Sequence, residues 1–63
     1  MSRKIEVNGE VFRVGQEVTC KVKWPDGTVT CPQGALVTVV DGDAYVRTPI
    51  GVVAGDAATL EPA

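Results

Sequence analysis

The chain predicts an all-β domain of five to seven short antiparallel strands, and three observations carry that expectation. Twelve valines, two isoleucines and six threonines stand against two leucines and one methionine, and branched side chains suit a pleated surface while losing rotamer freedom on a helix. Turn-forming pairs recur about every ten to fifteen residues, the rhythm of a small barrel or sandwich. Between them the apolar residues alternate with period two, as in Val18-Thr19-Cys20-Lys21-Val22-Lys23.

The first element is a hairpin around Asn8-Gly9, since that pair tolerates the positive φ that both central positions of a type I′ turn demand. It sets Val7 against Glu10, Glu6 against Val11 and Ile5 against Phe12, with Ile5, Val7, Phe12 and Val14 on one face. Next comes the strand Val18–Lys23, with Val18, Cys20 and Val22 facing inward and Lys21 and Lys23 outward. Trp24-Pro25-Asp26-Gly27 then turns the chain: Pro presets φ, Asp bonds back to the backbone and Gly takes the left-handed site. As a four-residue loop it pairs Lys23 with Thr28, Val22 with Val29 and Cys20 with Cys31. A three-residue loop would slip the register and set Val29 and Cys31 beside the lysines, which period-two patterning disfavours.

Pro32-Gln33-Gly34 is expected to break the ladder, because Pro donates no hydrogen bond. Ala35–Val40 is the most apolar strand and the expected centre. Asp41-Gly42 makes a second type I′ turn, pairing Val39 with Ala44 and Val37 with Val46. Ala44–Thr48 runs back, Thr48-Pro49-Ile50-Gly51 turns into the strand Val52–Ala54, and Gly55–Ala58 reads as a single 3-10 turn. Thr59–Glu61 closes the structure.

Sixty-three residues make one domain, 1–63. A chain this short buries only about 60% of its unfolded surface, so with 44% hydrophobic residues some apolar area is expected outside, where it implies a partner or a second copy. No apolar run approaches the ~20 residues of a membrane span, and the N-terminal segment lacks the apolar core of a signal peptide; the expectation is a cytoplasmic protein. The valine-, alanine- and glycine-rich usage fits a GC-rich coding sequence, hence a bacterial or phage origin. The net charge of −2 is uneven. Residues 1–23 sum to +2 through Arg3, Lys4, Arg13, Lys21 and Lys23 against three glutamates, and residues 24–63 sum to −4.

Catalysis is not expected. There is no His, so the usual general base and commonest metal ligand are missing. Ser2, the sole serine, has no base to activate it. Two Cys without His cannot complete a zinc site. Asp41-Gly42-Asp43 falls short of the six to eight oxygen donors calcium takes, and the glycines lack phosphate-loop spacing. No cofactor or metal is implied.

Phe12-Arg13-Val14-Gly15-Gln16-Glu17-Val18, then Trp24-Pro25-Asp26-Gly27, then Ala58-Thr59-Leu60-Glu61-Pro62 together resemble a small SH3-like barrel of the Tudor or KOW type over roughly residues 12–62. The resemblance implies a barrel with the Asn-Gly hairpin as an N-terminal addition. Tudor domains would imply an aromatic cage for methylated side chains, for which this chain offers Phe12, Trp24 and Tyr45; KOW domains would imply RNA or ribosome contact.

The candidate binding residues are Trp24, Tyr45, Lys21, Lys23 and Arg13. Trp24, at a loop tip, is either a lid over the barrel end or an exposed anchor. Lys21, Lys23 and Arg13 could meet phosphates or an acidic protein, while edge lysines also serve simply to block strand pairing. Cys20 and Cys31 form either a cross-strand staple or redox pair, or two small hydrophobes kept reduced. The functional expectation is a non-catalytic protein-interaction module or a self-associating homo-oligomer, with weak nucleic-acid binding as the alternative.

Overall fold

The computed structural model describes residues 3–63. Seven strands occupy most of that span: β1 (Lys4–Val7), β2 (Glu10–Arg13), β3 (Glu17–Lys23), β4 (Val29–Thr30), β5 (Gln33–Val40), β6 (Asp43–Thr48) and β7 (Gly51–Pro62). All pairings are antiparallel, and no helix occurs among the described residues. β1 and β2 form a ribbon of their own, while the second sheet runs β4-β3-β5-β6-β7, with β7 returning to pair with β3.

Both Asx-Gly hairpins form as their sequences dictate. Asn8 and Gly9 have φ of 49° and 82°, and Asp41 and Gly42 have 49° and 83°, the paired left-handed conformations of a type I′ turn. The first fixes Val7 opposite Glu10 and Ile5 opposite Phe12. The second fixes Val40 opposite Asp43 and Val39 opposite Ala44.

The core collects one face of each long strand: Phe12, Val18, Cys20, Val22, Leu36, Ala44, Val46, Ala57 and Leu60 are buried. Ile5, Val7, Trp24, Val39 and Val53 pack against them. Thr48 is the one buried polar side chain among the described residues. Its hydroxyl donates to the Gly51 carbonyl at 2.7 Å and accepts from the Ile50 N–H at 3.3 Å, so the β6–β7 turn satisfies it.

Five local expectations are corrected. The Trp24 turn is a three-residue loop: the Trp24 N–H donates to the Thr28 carbonyl and the Gly27 N–H to that of Trp24. With Gly27 at φ 90° this is a type I turn closed by a left-handed glycine. It sets Val22 against Thr30 and Lys23 against Val29, and the same register continues into Val18 opposite Gly34 and Glu17 opposite Ala35. β4 and β5 thus lie along β3 as one strand interrupted only at Cys31-Pro32. The break is shorter than expected, and Gln33 and Gly34 are paired. The register is chosen by Leu36 and Gly34. It turns Leu36 into the core and places side-chain-free Gly34 where a Cβ would collide with the Arg47 carbonyl.

Val37 is not opposite Val46. A bulge between Leu36 and Thr38 gives that place to Leu36 and leaves Val37 38% exposed, because a single extra residue flips the inward set. The 3-10 turn at Gly55–Ala58 is replaced by extended chain, and the short strand expected at Val52–Ala54 is the start of the twelve-residue β7. β7 pairs with β6 from Gly51 to Asp56, then with β3 through Asp56–Lys21, Glu61–Thr19 and Pro62–Val18. Between those contacts Ala57–Leu60 bulges opposite Cys20. The bulge holds because it buries Ala57 and Leu60. Its polar groups also find partners: the Ala58 N–H donates to the Asp56 carboxylate at 3.0 Å and the Lys21 N–H to the Thr59 hydroxyl at 2.8 Å.

Candidate functional site

β3 and β7 touch at Lys21–Asp56 and then diverge, β3 into the Trp24 hairpin and β7 toward β6. The split is a groove of about 440 Å³ lined by Lys21, Lys23 and Val29 on one wall and by Asp43, Ala54, Gly55 and Asp56 on the other, with Gly42 at its end. Alternation puts the lysines here: Val18, Cys20 and Val22 take the inner face of β3, so Lys21 and Lys23 take the outer. The same rule places Asp43 and Asp56, directly opposed across β6 and β7, on the outer side. Two cations and two anions cancel, so the groove is not a basic track.

Around the outer surface of β5, β6 and β7 the cross-strand rows read Val40–Asp43–Asp56, Thr38–Tyr45–Ala54 and Ala35–Arg47–Val52. Arg47 is the sole cation in these rows. Val37, Val40 and Val52 are exposed, and Ile50, at the tip of the β6–β7 turn, is 85% exposed. A smaller notch of about 240 Å³ lies beside this face between Val14, Gly15, Ala35, Leu36, Val37 and Arg47.

The expected binding residues fall in separate places. Lys21 and Lys23 share the groove. Arg13 sits on β2, its backbone N–H bonded to the Gln16 side chain at 3.0 Å, and does not line that groove. Tyr45 lies half-buried on the apolar outer face. Trp24 is half-buried against the core, and its indole N–H donates to the Thr30 hydroxyl at 2.9 Å, the packing and hydrogen bonding that a lid over the barrel end requires. Phe12 is in the core as expected, 1% exposed, so the three aromatics do not form a cage.

Cys20 and Cys31 are both free thiols, Cys20 buried and Cys31 exposed. The one-residue register difference explains the missing staple: by continuation of the β3–β4 register Cys31 stands opposite Lys21, not Cys20. Burial foremost, then the nearby Cys31 and Asp56, raises the Cys20 thiol pKa above its ordinary value. Among the described residues no group of three or more His, Cys, Asp or Glu is gathered for a metal, and no helix is long and apolar enough to cross a membrane. Ser2 lies outside the described residues. Sequence reasoning missed Asp43 and Asp56 as groove residues and Ile50 and Val52 as exposed apolar groups; the signal for Ile50 was an isoleucine inside a turn quartet.

Compared with protein-family models, curated proteins and solved structures, the chain matches none.

Proposed function

We propose that this protein is a non-catalytic interaction module, a small SH3-like barrel that works by binding protein surface, a second copy of itself included. The observation that carries the reading is the outer face of β5–β6–β7. There Val37 and Val40 of β5 and Val52 of β7 are exposed on either side of β6, which carries Tyr45 and Arg47. Adjoining exposed apolar groups on a soluble domain mark interaction sites, whereas isolated ones do not. Tyr and Arg are the residue types that concentrate binding energy when such a surface is covered. A cytoplasmic location accords with two free cysteines.

Nucleic-acid binding through Arg13, Lys21 and Lys23 is weaker as a reading, because Asp43 and Asp56 share the lysines' groove and counterion release needs uncompensated cations. The test is solution mass as a function of concentration, together with capture of partners on the immobilised protein. The reading expects a mass above the 6.6 kDa of one chain, or retention of a partner that a V37K/V40K chain fails to retain. A mass of one chain at high concentration with no such partner overturns it. Binding of an oligonucleotide with a steep loss on added salt would transfer the function to the nucleic-acid reading.

A further inference from the structure

Going beyond the interaction reading, we propose that Cys20 and Cys31 form a reversible disulfide, and that closing it moves β4 by one residue along β3. In the reduced protein the two thiols miss each other by one place. Val22 pairs with Thr30 and Thr19 with Gln33, so Pro32 stands opposite Cys20 and Cys31 opposite Lys21. Successive positions of a strand point to opposite faces, which leaves Cys20 buried and Cys31 exposed. A shift of β4 by one place sets Cys31 directly opposite Cys20 on the same face. Cross-strand Cβ atoms there stand about 4.5–5.5 Å apart, a small adjustment from the spacing of a disulfide.

The shift is confined to β4. Leu36 and Gly34 hold β5 in place, so the extra residue is absorbed at Pro32, in the Cys31-Pro32 segment that already belongs to no strand. Bulges accept Pro, because no ladder N–H is lost there. Pro32 is half-buried, and its displacement vacates the place that Cys31 enters. β4 is also weakly held, being two residues long with both exposed. The move turns Val29, 47% exposed among the groove lysines, to the face of Val22. Against it stand the bonds of the three-residue loop: the Trp24 N–H to the Thr28 carbonyl, Thr28 to the Asp26 carboxylate, and the Trp24 indole to the Thr30 hydroxyl. These keep the observed register while both thiols are free, and the covalent bond overcomes them.

The oxidant is a small-molecule disulfide such as oxidised glutathione. The exposed Cys31 thiolate attacks one of its sulfurs, forming a mixed disulfide and releasing one thiol. As β4 shifts, the deprotonated Cys20 attacks the Cys31 Sγ and expels the second thiol. Two protein thiols are thereby oxidised and one small disulfide is reduced to two thiols, and excess thiol reverses the exchange. Burial raises the Cys20 pKa, so the second step is the slower and quickens with pH. In the oxidised chain Thr28 and Thr30 replace Val29 beside Lys21 and Lys23, so the thiol pair sets the polarity of that groove wall.

Incubating the dilute full chain with oxidised glutathione tests this, with mass spectrometry for the bonds and NMR for the register. The proposal expects a transient glutathione adduct at Cys31, then a single chain lighter by two hydrogens with no free thiol. Val22–Val29 cross-strand contacts should replace Val22–Thr30, and the Trp24 indole signal should shift as it loses Thr30. Dithiothreitol should restore the starting spectrum. C31S, altered at an exposed position, should leave Cys20 unreacted. A reaction that stops at the Cys31 adduct, or that links two chains through Cys31, overturns the proposal. An intrachain disulfide with Val22 still opposite Thr30 also overturns it, as does glutathione on Cys20 in C31S.

Discussion

Replacing Gly55 by Ala tests the junction on which the fold depends. Gly55 is buried where β7 crosses from β6 to β3, and a Cβ there would collide with the Cys20 Sγ, standing also 3.0 Å from the Lys21 carbonyl oxygen and 3.2 Å from Val22 Cγ2. No unusual φ is involved, so the effect is packing alone. Overfilling a close-packed site costs about 1–3 kcal/mol. Cys20→Ala removes the atom chiefly in the way and should cost about 1 kcal/mol, as for deletion of one buried methyl-sized group.

If the two sites act through that contact, the double variant falls short of the summed loss by at least about 0.5 kcal/mol, the coupling expected of touching residues. In a domain of this size each kcal/mol moves Tm by about 4–8 °C. Urea unfolding followed by Trp24 fluorescence measures all four corners of the cycle. A Gly55→Ala chain as stable as wild type, or a strictly additive cycle, would mean that β7 does not cross β3 beside Cys20.

Other predictions address the register and the turns. Leu36→Ala should cost about 2–5 kcal/mol and Val37→Ala within about 0.5 kcal/mol, because the bulge buries one and exposes the other; reversed magnitudes in denaturant melts would remove the bulge. Cys31 should react with a thiol reagent at once in the native protein and Cys20 only on unfolding, so two equally fast thiols would contradict the register. Asp26 has its pKa lowered by the Thr28 hydroxyl and backbone N–H. A folded pKa below the unfolded one means stability present above the unfolded value and lost as pH falls through the folded value. D26N should therefore flatten the acid limb of the stability profile, and an unchanged limb would show that the turn's hydrogen bonds do not matter.

The sequence was most legible where local chemistry leaves one choice. Asn8-Gly9 and Asp41-Gly42 determine both turn type and the adjoining pairs, and the alternation of Val18, Cys20 and Val22 with the lysines determines which side of β3 is dry. It was least legible where a tertiary constraint overrode period two. Val29 would rather be inside, yet continuity with Leu36 and Gly34 puts it beside Lys23. Val37 carries no local mark of a bulge.

Gly55–Ala58 has the composition of a tight turn, but burial of Ala57 and Leu60 keeps it extended. The groove was unreadable for a related reason: Asp43 and Asp56 come from strands whose meeting with Lys21 depends on where β7 leaves β3.

The interaction reading requires that the exposed valines of β5 and β7 be covered in solution. Sedimentation equilibrium of the unmodified protein across a wide concentration range measures this directly. The prediction is a mass rising above the 6.6 kDa of one chain, and a constant mass of one chain at every concentration, with no partner captured, would contradict it.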